Sequence, residues 1–189
     1  MSHFYTATLF LVLTGLGVGF GLEGLSRWFV LGLLLSLYIA IFVLGLFVLK
    51  LNFFVTATCR GKPSSRCIAL TFDDGPDPAT TPMLLEVLKR QGIRAAFFPI
   101  GTRVMEHPDI VKQIDQEGHI LGNHTFRHAW WTNFMVGRAL GRELGRAQRA
   151  IEETIGKMPA YFRPPMGLTN PHLKRRLGKF GLSVIGWDV

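Results

Sequence analysis

The stretch that decides the fold is CIALTFDDGP, at residues 67–76. Its first part, Cys67–Phe72, is a short and mainly apolar run that predicts a buried β-strand. The Asp-Asp-Gly-Pro sequence that follows ends this strand with residue types that favour turns. Adjacent carboxylates point in different directions, so Asp73 and Asp74 can divide two tasks, one binding a metal ion and the other handling a proton. On its own, the tetrapeptide also fits an ordinary turn.

Apolar and amphipathic runs alternate downstream of this stretch. Further strands are predicted at 95–100, 119–123, 161–163 and 182–187, and helices at 80–90, 108–117, 134–155 and 171–180. This alternation indicates an α/β fold with a parallel sheet, either open or closed into a barrel. Such folds place their chemistry at the carboxyl ends of the strands.

Unusual polar residues follow the predicted strands at those ends. His124 and His128 come after the third strand and are four positions apart, so both can reach one cation if the segment is helical or tightly turned. Imidazole is a good ligand for zinc and its neighbours. Together with Asp74, the pair gives three protein ligands and leaves one position open for water, the pattern of a catalytic metal site.

The sequence Arg-Pro-Pro-Met-Gly at 163–167 follows the fourth strand. Arg163 can hold a carboxylate by a charge-assisted pair, and Asp73 is the candidate. The prolines stiffen the turn, so the N–H of Met166 can point at a developing oxyanion. The alternative is that the prolines only end a strand and that Arg163 is a surface charge.

Three segments in this order, 71–76, 124–128 and 163–167, resemble the first three signature motifs of the polysaccharide deacetylase family, also called the NodB-homology or carbohydrate esterase family 4 domain. The resemblance implies a distorted (β/α) barrel, here partial and preceded by two transmembrane helices. It implies one divalent metal ion, Zn²⁺ first, with Co²⁺, Ni²⁺ or Mn²⁺ as alternatives. The implied roles are Asp73 as general base, Asp74, His124 and His128 as metal ligands, Arg163 as the residue that orients Asp73, and the Met166 N–H as oxyanion donor.

The resemblance also predicts substrate contacts at Pro165, Met166 and Trp187. Position 166 is more often aromatic in the family. Two further family motifs, an Asp-x-x-Asp-Trp-like segment and a late Leu-x-x-His that carries the general acid, are not matched, although Trp187–Val189 resembles the approach to the first. We therefore expect the domain at 66–189 to continue, with its general acid beyond Val189. His172 falls at the start of a helix and is not assigned.

The amino-terminal part predicts a membrane anchor at 1–50, joined by a linker at 51–65. Residues 4–22 and 28–49 are uncharged runs of 19 and 22 residues, each long enough to cross about 30 Å of hydrocarbon. A signal peptide is disfavoured because nothing basic precedes the first run and no clear cleavage site follows it. The prediction is a multi-pass protein of the cell (inner) membrane.

Charge and family habit point to opposite sides of that membrane. The turn between the two spans carries only one basic residue, whereas several follow the second span: Lys50, Arg60, Lys62 and Arg66. This distribution favours a cytoplasmic domain. Members of the family habitually act outside the cell.

The chain has a net charge of +8, which suits nucleic acid, anionic membrane or anionic polymer. Nucleic-acid binding finds no further support, because the basic residues are not interleaved with aromatics in a recognisable module. The predicted partners are a glycan and a membrane, and the oligomeric state is not assigned. Cys59 and Cys67 are too few for a disulfide framework; unpaired thiols are favoured over one small disulfide-closed loop.

The predicted function is metal-dependent removal of N-acetyl or O-acetyl groups from an amino-sugar polymer or oligosaccharide, such as peptidoglycan or a chitin-like glycan. One alternative is a deacetylase or deformylase of a lipid-linked sugar at the membrane. An arginine stripe at positions 138, 142, 146 and 149 would suit its phosphate, although such a stripe is more often only solvated. The other alternative is a non-catalytic glycan-binding relative.

Overall fold

The computed structural model describes residues 3–61 and 67–188. It begins with an antiparallel pair of helices, α1 (His3–Gly21) and α2 (Gly24–Phe47). The Thr8 hydroxyl lies 2.8 Å from the Tyr38 hydroxyl, and these are the polar groups that join the pair. Both helices are long and apolar enough to cross a membrane, and Gly45 is their one buried residue among those described.

A closely packed segment at 48–56, which we call the junction, joins α2 to the rest of the chain. After a 3-10 helix at Leu49–Leu51, Phe53 and Phe54 are buried against Phe4 and Phe42, with ring centroids 4.8–6.0 Å apart. Val55 then enters the hydrophobic core of the following domain. The predicted linker at 51–65 therefore includes ordered, buried chain. Residues 62–66, which include the predicted start of the domain, lie outside the described residues, as does Val189.

The strands are short and all parallel. They are β1 (Ala57–Thr58), β2 (Thr71–Asp73), β3 (Ala96–Phe98), β4 (Ile120–Leu121), β5 (Tyr161–Phe162) and β6 (Ser183–Ile185). Two sheets form, in the orders β2-β3-β4 and β1-β6-β5. A parallel bridge between Asn123 and Phe162 connects them, so the strands follow one another around a curve in the order 2-3-4-5-6-1. This arrangement agrees with the expected (β/α) fold.

Helices connect successive strands. They are α3 (Thr81–Arg90), α4 (Gly101–Glu106), α5 (Pro108–Gln116), α6 (Gly137–Ile155) and α7 (Leu173–Gly178), with further 3-10 helices at Trp130–Phe134 and Pro165–Gly167. The six-residue helix α4 was not predicted, because it is too short to show a helical period. The helix predicted from residue 134 starts at Gly137, because 130–134 form the 3-10 turn.

Helix α6 joins the two halves of the core. Its residues Leu140 and Leu144 pack with β5 and β6, whereas Ala147 and Ile151 pack with β3 and β4. The arginines at 138, 142, 146 and 149 are exposed on the other face, as the 3.6-residue period predicts. Cys59 and Cys67 are both free thiols.

Candidate active site

Strand β2 ends between the two adjacent aspartates. Asp73 is the last strand residue, and Asp74 follows with a φ of 69° and donates its N–H to Phe98 O at 3.2 Å. A positive φ is costly for a residue with a Cβ, so this turn is held in place by its surroundings. It leaves the Asp74 side chain 58% exposed at the carboxyl edge of the sheet.

The two histidines lie on a tight turn after β4. The turn is built around Asn123, whose fully buried side chain accepts the N–H of Thr125 at 2.8 Å. The Thr125 hydroxyl in turn accepts the N–H of His128 at 3.2 Å. Thr125 and His128 both have positive φ, 68° and 51°. The i, i+4 pair therefore converges through a tight turn rather than through a helix.

Asp74, His124 and His128 come together with the geometry of a metal site. Asp74 Oδ1 lies 3.5 Å from His124 Nε2 and 3.3 Å from His128 Nε2, and the three ligand atoms all lie within 4.8 Å of one another. Tetrahedral ligands held at 2.0–2.1 Å from zinc are about 3.3–3.4 Å apart, so the donor set fits such an ion.

The protonation state of the His124 ring also suits metal binding. Its Nδ1 lies 2.7 Å from the backbone oxygen of Arg163, and a carbonyl can only accept, so Nδ1 carries the hydrogen. Burial lowers the pKa of His124, which favours the neutral ring. A neutral ring with hydrogen on Nδ1 presents a lone pair at Nε2, the form that binds a metal.

Arg163 crosses the inside of the fold to reach Asp73. Its Nη1 donates to Asp73 Oδ1 at 2.9 Å and to Thr71 Oγ1 at 2.8 Å. The remaining nitrogens donate to the backbone oxygens of Ile185 and Gly186, at 3.3 and 2.9 Å. The guanidinium lies 4.4 Å from the centre of the Phe98 ring, and the residue is only 2% exposed. The alternative that Arg163 is a surface charge is therefore wrong.

The third motif forms a 3-10 turn on the other side of the site. Met166 has a φ of 54° and an exposed side chain, and the Trp187 ring lies against Gly167. A Cβ on Gly167 would come 3.2 Å from that ring, so a side chain there would displace it. Pro165 is buried in this turn, and the substrate contact expected there stays a prediction.

Buried asparagines that the sequence did not single out support these turns. Asn123 Nδ2 donates to Leu144 O and Gln148 Oε1, at 3.0 and 2.9 Å, which ties the histidine turn to α6. Asn133 Nδ2 donates to Pro165 O at 3.2 Å, and Asn170 Nδ2 donates to Asn133 O at 2.8 Å. In the sequence, the one local feature that could have indicated this role for Asn123 is its position next to His124 at a strand end.

The amino-acid sequence matches the polysaccharide deacetylase family over residues 60–185, more than half of the chain. The chain belongs to this family. The resemblance inferred from the three motifs is thereby confirmed. The family match begins at residue 60, inside the segment predicted as a linker.

Two curated relatives illustrate the range of the family. Over 127 residues, 67% of this chain and 26% of the relative, the chain is 39% identical to the peptidoglycan-N-acetylmuramic acid deacetylase PdaC of Bacillus subtilis. Over 123 residues, 65% of this chain and 58% of the relative, it is 35% identical to a chitooligosaccharide deacetylase of Azorhizobium caulinodans. The chain thus spans from about a quarter to under two thirds of the length of these relatives.

A solved structure gives the same fold. A carbohydrate esterase family 4 pseudoenzyme from Bacillus anthracis is similar with a TM-score of 0.66 and 25% identity, over 70% of this chain and 47% of that chain. The similarity confirms the expected fold class. Because that protein is a pseudoenzyme, the fold alone does not imply catalysis, which depends on the residues of the site.

Proposed function

We propose that this chain carries the metal site and the base of a carbohydrate deacetylase that hydrolyses N-acetyl, or alternatively O-acetyl, groups of an amino-sugar glycan. The observation that carries the proposal is the pairing of Asp73 with buried Arg163, beside the converged ligand atoms of Asp74, His124 and His128. A domain that only bound glycan would have no need for a buried arginine directed at one carboxylate.

Each residue has a separate task in this proposal. Asp74, His124 and His128 would hold one divalent ion, with Zn²⁺ first because imidazole and carboxylate suit it, and Co²⁺, Ni²⁺ or Mn²⁺ as alternatives. When bound, such an ion polarises a carbonyl and lowers the pKa of water towards about 7.

Asp73 would act as the general base. Arg163 occupies Asp73 Oδ1, which leaves Oδ2 as the oxygen that accepts a proton from the attacking water. The side chain of Asp73 is 30% exposed, so water and substrate can reach it. Arg163 holds this carboxylate in one orientation through its own fixed contacts. The Met166 N–H would donate to the oxyanion, and the exposed surfaces of Met166 and Trp187 would contact the sugar.

The proposed substrate class follows the named activities of the relatives. Those activities concern the N-acetylmuramic acid of peptidoglycan and chitooligosaccharide, and both substrates contain N-acetylated amino sugars. We propose this class for the chain, with peptidoglycan and chitin-like glycans as the substrates to compare.

The test is acetate release from acetylated chito-oligomers and from peptidoglycan by the purified, zinc-loaded protein expressed from its complete gene, so that the group that protonates the leaving amine is included. Asp73→Asn should keep the metal and lose activity by about 10²–10⁴-fold, the usual worth of a general base. The matched control is Asp109→Asn, which changes an exposed carboxylate on α5 and should leave the rate unchanged. Glycan binding without acetate release from either substrate would favour the non-catalytic alternative, and loss of metal from Asp73→Asn would exchange the roles of the two aspartates.

We also propose that α1 and α2 anchor the domain in the cell membrane. The core helix of a soluble protein is mostly buried, whereas almost all of both helices is exposed. A cleaved signal sequence is disfavoured by the contacts of α2, because buried Thr169 donates its N–H to Leu46 O at 3.1 Å and its hydroxyl to Gly45 O at 3.1 Å. Removing the helix would leave these buried donors without partners.

Chemical labelling of the native cysteines can determine on which side of the membrane the domain lies. Cys67 is exposed, whereas burial raises the pKa of Cys59 and makes its thiolate scarcer. A membrane-impermeant thiol reagent that labels Cys67 in intact cells would place the domain outside. Labelling only after permeabilisation would place it in the cytoplasm, as the charge distribution predicts. Cys67→Ser is the control, and retention of the protein in carbonate-washed membranes tests the anchor itself.

A further inference from the structure

An exposed aromatic cluster directly follows the histidine turn in the chain and takes no part in the chemistry described above. It consists of Trp130, Trp131 and Phe134, which are 67%, 48% and 64% exposed; we call it the aromatic lip. The ring centroids of Trp130 and Trp131 are 5.6 Å apart, and those of Trp130 and Phe134 are 6.5 Å apart. The lip starts two residues after His128. Single exposed apolar side chains are common, but a contiguous group of large ones marks an interaction surface.

The aromatic lip is tied to the end of α2 by two consecutive buried residues. Asn170 Nδ2 donates at 2.8 Å to the backbone oxygen of Asn133, which immediately precedes Phe134 of the lip. Its neighbour Thr169 makes both of its hydrogen bonds to Gly45 and Leu46 in the last turn of α2. Because Asn133 also donates to Pro165 O, the lip segment and the turn of the third motif are both connected to a helix that we place in the membrane.

This connection limits the height of the site above the bilayer. Met166 precedes Thr169 by three residues, which span at most about 11 Å. Adding the hydrogen bonds of about 3 Å, the Met166 Cα lies within about 15 Å of the last turn of α2. The headgroup region adds about 5–8 Å to each face of the hydrocarbon core, so the mouth of the site is close to the lipid surface.

Basic residues lie on the same side of the domain. Lys174 and Arg175, both exposed on α7, line a small cavity with Phe4, Tyr5 and Phe54 at the start of α1 and the junction. Aromatic side chains prefer the membrane interface, and basic side chains near it are attracted to anionic headgroups. The junction holds this arrangement in place, because Phe54 is 2% exposed and Val55 belongs to the domain core.

We propose that the aromatic lip is a membrane-contact surface that rests in the interface of an anionic bilayer and holds the mouth of the metal site against it. The proposal rests on the membrane anchor proposed above. Its consequence concerns the substrate: the site receives a glycan presented at the membrane surface, such as one that is attached to a lipid, in preference to a polymer strand distant from the bilayer.

The test uses the full chain reconstituted in vesicles of phosphatidylcholine and phosphatidylglycerol, part of them brominated on the upper acyl chain. Bromine quenches only those tryptophans that it contacts. The chain has four tryptophans. The variant Trp28→Phe/Trp187→Phe keeps only the two in the lip, and Trp130→Phe/Trp131→Phe/Trp187→Phe keeps only Trp28, which lies within α2 and serves as the reference for membrane insertion.

We expect the lip tryptophans to lose a fraction of their fluorescence comparable to the loss of Trp28. Quenching of Trp28 without quenching of the lip would overturn the proposal and leave the anchor standing. Absence of quenching in both would remove the anchor and the proposal with it. A fluorescence shift of the lip on adding chito-oligomers, with no quenching by lipid, would identify the lip as a sugar-binding surface and also overturn the proposal.

A second measurement leaves every tryptophan in place, since Trp187 packs against Gly167 and its replacement can disturb the site. Phe134→Cys in a Cys59→Ser/Cys67→Ser background carries a spin label on the lip. The label should be relaxed more by oxygen, which partitions into lipid, than by a water-soluble nickel complex. A label at the matched control Glu153→Cys, exposed on α6, should show the opposite order. Equal behaviour of the two labels would refute the contact.

Discussion

Replacing Arg163 by lysine tests how Asp73, the proposed general base, is held. The guanidinium makes hydrogen bonds to four oxygens, those of Thr71, Asp73, Ile185 and Gly186. A lysine ammonium keeps the charge, but it cannot reproduce the planar fork or the stacking on the Phe98 ring. We expect it to keep the contact with Asp73 and to lose those with the two backbone oxygens of β6 and the residue after it.

The loss of stability in Arg163→Lys follows from the hydrogen bonds that lysine cannot make. Hydrogen bonds from a charged donor contribute about 1.5–3 kcal/mol each, so losing two of them should cost about 3 kcal/mol, the lower end of the range. For a chain of 189 residues, each kcal/mol corresponds to about 2–4 °C, so Tm should fall by about 6–12 °C. A small displacement of Asp73 should lower kcat by about 10²-fold.

The metal content should not change in this variant. His124 is oriented by the backbone oxygen of residue 163, which lysine also provides. Thermal unfolding, elemental analysis and acetate release therefore give three independent readings. The matched control is Arg142→Lys on the exposed face of α6, which should change stability by less than about 0.5 kcal/mol. Equal Tm and kcat for Arg163→Lys and the control would refute the proposal that this buried network positions Asp73 as the general base.

Three further outcomes follow from other contacts. His128→Ala should lose most of the bound metal in elemental analysis, whereas His172→Ala, at an exposed position before α7, should keep it. Asn123→Ala removes three buried side-chain hydrogen bonds. Denaturant unfolding should show a free energy of unfolding lower by about 3 kcal/mol, and metal titration should show an affinity lower by about 10–100-fold. Burial lowers the pKa of His119 in the folded state, so the stability that its neutral ring contributes is complete above about pH 6.5 and is lost as the pH falls. In chelator, Tm should therefore drop more between pH 7.5 and 5.5 in the wild type than in His119→Gln, and equal slopes would contradict this.

The sequence was sufficient to predict the residues that meet at the strand ends. Asp74, His124 and Arg163 each lie at or just beyond the end of a predicted strand, and parallel strands bring their carboxyl ends to one edge. The two faces of α6 were also predictable, because nineteen residues give the 3.6-residue period several turns in which to show itself.

Features that depend on distant partners were not predictable in the same way. Strand β1 is only two residues long, shorter than any periodic signal, and exists because it pairs with β6 more than a hundred residues later. The role of Asn123 depends on Leu144 and Gln148, which lie 21 and 25 positions away. The position of Asn123 next to His124 at a strand end is the one local signal, and it does not reveal these distant partners.

Backbone strain shows which parts of the chain are held most firmly. Five residues other than glycine have positive φ in the described part of the chain: Asn52, Asp74, Thr125, His128 and Met166. Each such residue costs about 1–2 kcal/mol and persists only where its surroundings impose it. Four of them belong to the three motifs, and the hydrogen bonds of Asn123 and Asn133 hold two of the three turns concerned.

The fifth, Asn52, lies at the junction with α2, where its side chain accepts the N–H of Ala57 at 2.7 Å and so starts β1. A flexible linker would have no reason to adopt a strained and hydrogen-bonded turn. The junction is therefore built in the same way as the candidate active site, and its contacts fix the direction in which the chain leaves the helix pair. This construction would let the position of the metal site relative to a membrane be determined by the fold of the chain rather than by the length of a tether.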